Sequence, residues 1–165
     1  MPSIGLAGGW FKPNSLAEQA SVSPFDSLAT APWFGVVVTS PPFSGTSLRL
    51  SAGCWAHRKQ ETQTVVPLAI DVKHELIQGL GFRPYVTYGG ALYWGWEMGW
   101  KEVWRHPAQT RGWGATLGVG LDVKLGRRWT VAAEFDYLYI MFRRPLGPAK
   151  DYSGPRLSLA LAYLL

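Results

Sequence analysis

Three histidines, His57, His74 and His106, are the side chains of this 165-residue chain best suited to moving protons near neutral pH. An enzyme would set one of them beside a nucleophile and an orienting carboxylate. Ser51 and Glu61 lie near His57 in sequence, no Ser lies near His106, and none of the three stands in a His-x-Ser pattern. Metal ligation would need rings at metal-ligand spacing on one strand, or cysteine partners, and neither is found. The single cysteine, Cys54, excludes an internal disulfide framework and a Cys-based zinc site. The residues therefore predict no catalytic site, no metal and no cofactor, with the histidines solvated at rims or in loops.

The elements that must position these groups read as strands. Alternation of apolar with polar or small residues runs through most of the chain. Trp113, Ala115, Leu117, Val119, Leu121, Val123 and Leu125 share one parity, against Gly114, Thr116, Gly118, Gly120, Asp122 and Lys124. Segments starting at Leu48, Val66, Tyr85, Trp129 and Leu157 repeat the pattern, and weaker strands fall at about 3–12 and 33–40. The run Trp33–Val38 is apolar on both parities, so no faces are assigned to it. Pro67 cannot donate to a ladder, and a bulge is expected there.

Eight strands follow, with tight Gly- and Pro-rich joints on one side and generally longer connections on the other. This predicts one domain over residues 1–165, an all-β, eight-stranded antiparallel up-and-down transmembrane barrel. No run of 18 apolar residues exists to make a membrane helix, but a barrel hides its hydrophobicity in alternation. Met1-Pro2-Ser3 runs straight into patterned sequence, so no signal peptide is expected within this chain.

The face decides the environment. Soluble barrels turn the bulky parity inward, and membrane barrels turn it outward. Arg49, Asp71, Lys73, Glu75, Asp122, Lys124, Glu134, Asp136 and Arg156 all fall on the small-residue parity. Near-balance of charge on one face suggests mutual pairing in a narrow lumen, since an unpaired buried charge costs several kcal/mol. The Leu, Tyr and Trp parity is too bulky for that lumen and is expected outside. A soluble lipocalin-type barrel is the alternative, and solubility without detergent would favour it.

Composition agrees. Charged residues are 16% and aromatics 14%, which excludes a disordered chain. The net charge is +5, yet no stretch holds more than two adjacent basic residues, so nucleic acid is not an expected partner. Trp94, Trp96, Trp113, Trp129, Tyr137, Tyr139 and Tyr163 fall toward strand ends, where an interfacial aromatic belt belongs. Five of the nine Trp crowd into 93–113, with Trp100 and Trp104 among Lys101, Arg105, His106 and Arg111. That segment reads either as long strands rising past a membrane or as a surface for a partner or an anionic glycolipid.

The segments Val66–Lys73, Arg83–Tyr93, Gly112–Asp122, Glu134–Tyr137 and Ser153–Tyr163 together resemble the small outer-membrane β-barrels, the OmpA/OmpX/OmpW-like membrane domains. The resemblance covers about 46–165. It implies a bacterial outer membrane, periplasmic termini and longer loops outside. The expected partners are membrane lipid and lipopolysaccharide and an envelope protein, with Lys101, Arg105 and Arg111 of the Trp-rich segment read as a candidate surface for lipopolysaccharide phosphates. It also implies that Gly154, Leu157, Leu159, Leu161, Tyr163 and Leu165 form the assembly signal read by the barrel-insertion machinery, although an aromatic residue usually ends that signal. Some such barrels modify lipid A with a His/Ser and carboxylate set, and His57 is the nearest match. A structural or surface-contacting barrel with a narrow, ion-paired lumen and no large pore is the expected role.

Overall fold

A computed structural model describes residues 1–14, 30–58, 61–77, 81–99, 108–146 and 149–165. Its strands are β1 (Ser3–Phe11), β2 (Ala31–Thr39), β3 (Thr46–Arg58), β4 (Glu61–Glu75) and β5 (Phe82–Gly99). They continue with β6 (Ala108–Leu125), β7 (Trp129–Leu146), β8 (Ala149–Asp151) and β9 (Gly154–Leu164). Each strand from β1 to β7 pairs antiparallel with the next. β9 then pairs with both β7 and β1, so the sheet closes on itself. Eight strands form the wall, and β8 is a three-residue flap folded back on β7.

The alternation read from the sequence is a real inside and outside. Leu117 is 66% exposed, Leu159 58% and Phe135 53%, whereas Asp122 is 4% and Glu134 6% exposed. A soluble barrel would reverse those values. So much uninterrupted exposed hydrocarbon needs an apolar solvent, and a closed barrel leaves no unpaired edge within it. β2 acquires faces despite its ambiguous sequence: Ala31 and Trp33 point in, while Phe34, Val36 and Val38 point out.

The connections are short where expected, between Thr39 and Thr46, between Glu75 and Phe82, and between Leu125 and Trp129. Gly126 takes φ 76°, a left-handed conformation that lets the β6–β7 hairpin reverse without a Cβ clash. Two expectations are corrected. Pro67 makes no bulge: β4 keeps one register against both neighbours. The ladder to β3 merely skips Gly53 and Cys54 and resumes at Trp55↔Val65, so the missing N–H is tolerated by leaving local pairing unmade. The connection expected at about 143–152 is largely strand, because β7 runs to Leu146 and β8 returns along it.

Candidate functional site: an ionic layer beneath an aromatic plug

The lumen has two unlike halves. Toward the turns it holds charge. Arg49, on β3, forks onto Glu134 of β7: Nη1 donates to Oε2, and Nη2 donates to Oε1 at 2.8 Å. The same Nη2 lies 3.2 Å from Asp71 Oδ2. Arg156, on β9, meets Asp136 at 2.8 Å and Glu134 at 3.7 Å. A second group joins Lys73 to Asp122 at 2.5 Å, and Arg83 to Asp122 at 3.3 Å and Glu75 at 2.8 Å. Tyr85 bridges the two groups. Its hydroxyl donates to Glu134 Oε2 at 2.9 Å, and Lys73 Nζ stands 3.9 Å above its ring.

Glycine on β6 makes the room. A Cβ at Gly120 would lie 2.3 Å from the Tyr85 ring, and one at Gly118 would lie 2.2 Å from Asp136 Oδ1. The charged side chains come from β3 to β7 and β9, and they face a wall of small groups including Gly5, Ala7, Ala160 and Ala162. Between them is a cavity of about 110 Å3 that reaches Ser3, Thr39 and Leu164 at the turn-side rim.

Toward the loops the lumen is filled with rings and aliphatic groups. Phe11, Trp55, Val65, Ile140, Phe142, Leu146 and Tyr152 are each at most 2% exposed. Trp55 packs on Phe11 at 5.3 Å and on Tyr152 at 5.9 Å, and Phe142 meets Tyr152 edge-on at 5.6 Å. Tyr152 is carried in by the segment between β8 and β9. Its N–H donates to Ile140 O at 3.0 Å, and its hydroxyl donates to Gln63 Oε1 at 3.0 Å and also lies against Leu146 O. Burial raises the phenol above its ordinary pKa, so it stays a neutral donor. Between layer and plug lies a small cavity of about 10 Å3, where the Arg156 guanidinium lies 4.6 Å from the Trp33 ring.

This architecture matches solved structures. Neisserial surface protein A (NspA) superposes with a TM-score of 0.71 at 11% identity, over 99% of this chain and 96% of that one. The fold is that of the small outer-membrane barrels. OprG from Pseudomonas aeruginosa gives 0.69 at 12% identity, over 98% and 94% of the two chains. Ail of Yersinia pestis, solved with the heparin analogue sucrose octasulfate, gives 0.59 at 11% identity, over 98% and 95%. No family model and no curated protein matches the sequence.

Within this small-barrel fold, eight of the nine charged residues expected in the lumen sit in the network: Arg49, Asp71, Lys73, Glu75, Asp122, Glu134, Asp136 and Arg156. Lys124 does not. It stands exposed beside the β6–β7 turn. Arg83 takes the fourth cationic place, and its signal was available, since it shares parity with inward Tyr85 and Thr87. The interior is also not only small and ionic, because the plug fills its loop end.

Trp113, Trp129, Tyr137 and Tyr139 are exposed on the outer face, and Trp94, Trp96 and Tyr163 are half-buried. Trp113 meets Tyr139 at 5.8 Å near the loop end, and Trp129 meets Tyr163 at 5.0 Å near the turn end. On β9, Leu157, Leu159 and Leu161 point outward, Gly154 is buried and Leu165 is exposed. Arg111 is exposed, whereas Trp100, Lys101, Trp104, Arg105 and His106 lie outside the described residues. His74 is exposed with Nδ1 2.9 Å from Thr46 Oγ1, and the His57 side chain is outside the described set.

Proposed function

We propose that this chain is an integral outer-membrane barrel of the OmpA/OmpX/OmpW-like kind, a closed wall element whose loop end meets the envelope surface or a partner and which catalyses nothing. The observation that carries this reading is the plug: a lumen blocked at one end by packed rings is built to seal. The longer loops would then face outside and the termini the periplasm. The β9 pattern from Gly154 to Leu165 would serve the insertion machinery. Detergent-extracted protein should migrate differently on a gel before and after heating. Planar-bilayer recordings should show no stable large conductance, and finding one would refute the sealed lumen.

A lipopolysaccharide-contacting role is favoured by one arrangement. Arg111 and Arg143 are exposed near the loop ends of β6 and β7, where Thr110 and Arg144 are joined by reciprocal hydrogen bonds at 3.2 Å. The Trp113–Tyr139 pair lies just below them. Guanidinium groups above interfacial rings suit the phosphates of such a glycolipid. The Ail complex with a polysulfated sugar is a precedent for anion binding on this fold. Lipid A mass spectra should stay unchanged when the protein is expressed. A shift lost in His57→Ala would instead make it a lipid-modifying enzyme.

A further inference from the structure

The outer face of β7 is low near its turn end. Val131 and Ala133 lie there, paired with Leu121 and Val123 of β6 and with Leu159 and Leu161 of β9. Exposed Ala133 stands between the longer, exposed side chains of Leu121 and Leu159, and half-buried Val131 between Val123 and Leu161, so the face dips at Ala133 into a shallow furrow, with Trp129 next along the strand toward the β6–β7 turn. At its end the chain places three exposed cations, Lys124, Arg127 and Arg128. Arg128 Nη1 donates to Tyr163 Oη at 2.7 Å, and its guanidinium stands 6.0 Å from that ring, which packs edge-on against Trp129. This cation is thus held at the outer, membrane-facing side. Glu75 and Asp122, the carboxylates of this end, turn inward to Arg83 and Lys73. Among the described residues no carboxylate side chain answers the hairpin's charge.

We propose that furrow and hairpin together bind an anionic diacyl phospholipid of the turn-side leaflet. One acyl chain lies along Val131 and Ala133, and the phosphate meets Arg127 and Arg128. The inference rests on the membrane-spanning reading above. Charge complementarity selects the headgroup: a phosphate without its own ammonium gains most from adjacent cations. The Trp129–Tyr163 pair sits at the level where amphipathic rings meet headgroups. Phosphate, indole and furrow therefore fall in the order that a phospholipid presents them.

The test uses the full chain folded in neutral detergent, with native mass spectrometry after addition of phosphatidylglycerol or phosphatidylcholine bearing the same acyl chains. The wild type should retain phosphatidylglycerol about thirtyfold better, the effect of two cations near a lipid phosphate. Arg127→Gln with Arg128→Gln should erase that preference and leave phosphatidylcholine retention unchanged. Ala133→Phe, which fills the furrow, should weaken both lipids together, and glycerol phosphate should displace neither. All these positions are on the surface, and heat-shifted gel migration confirms that each variant is folded. The proposal is overturned if the double Gln variant keeps its preference. It is also overturned if Arg111→Gln with Arg143→Gln abolishes the preference instead, or if glycerol phosphate displaces the lipid. Equal retention of both lipids by the wild type sinks this inference alone, whereas retention of neither sinks the membrane reading with it.

Discussion

Toward the turns, the lumen is occupied by groups that each need a particular partner; toward the loops, by groups that need only contact. Asp136 is fully buried and held by Arg156, while Ile140, four residues further along the same strand, is fully buried among hydrocarbon. The ionic half keeps a cavity of about 110 Å3, and the boundary with the plug keeps about 10 Å3. Charged side chains must stand off from one another at hydrogen-bond geometry and leave gaps, whereas rings interdigitate. The ionic layer therefore leaves space between its partners, and the packed rings leave little.

The comparison breaks most sharply at Glu134, which touches Arg49, Arg156 and Tyr85. Glu134→Ala leaves buried guanidinium groups short of a counter-charge and should cost about 3–5 kcal/mol. Urea titration of the detergent-folded barrel reads that loss. Replacing Arg49, Asp71 and Glu134 together with apolar residues of similar volume should recover most of it, because no charge is then stranded. Trp55→Ala should cost about 3 kcal/mol through the void it leaves. It should also admit small-ion conductance in planar bilayers, which Glu134→Ala should not. The reverse result, conductance from Glu134→Ala and none from Trp55→Ala, would make the ionic layer the seal.

Tyr85→Phe sharpens the division within the ionic half. The ring stays beneath Lys73, but the hydroxyl bond to Glu134 is lost. A hydrogen bond to a buried carboxylate is worth about 1.5–3 kcal/mol, and the same urea titration should show that range. A loss as large as that of Glu134→Ala would mean that Tyr85 carries the link between the two ion-paired groups.

The two halves were not equally legible. Wherever one parity is small or charged, as at Gly114–Lys124, alternation names the inward face directly. In the run Tyr137–Phe142 both parities are apolar, so the inward face of Leu138, Ile140 and Phe142 is read only by carrying the parity of Glu134 and Asp136 along β7, with no local signal of its own. The same ambiguity hid Trp33 in β2. Tyr152 carried no periodic signal, because it reaches the plug from a non-strand segment that β8 folds back. Its place is set by a non-local fit to Trp55 and Phe142. The ionic layer was readable almost residue by residue, and the exceptions arise at strand ends, where parity persists but the lumen does not.

Arg83 and Lys124 test that last point. Both continue the inward parity of their strands at the turn end. Arg83 reaches Glu75 and Asp122, and its side chain is 17% exposed. Lys124 follows Asp122 by two residues, yet stands in solvent. The difference lies in what each can reach. Asp122 is already held by Lys73 and Arg83, so a further cation would bring a buried charge without a free carboxylate. Arg83→Ala should therefore cost about 1–2 kcal/mol, as a partly buried charged hydrogen bond does. Lys124→Ala should cost no more than about 0.5 kcal/mol in the same urea titration, as expected for an exposed surface group. If Lys124→Ala costs as much as Arg83→Ala, the ionic layer extends past the rim, and parity alone would have placed its boundary correctly.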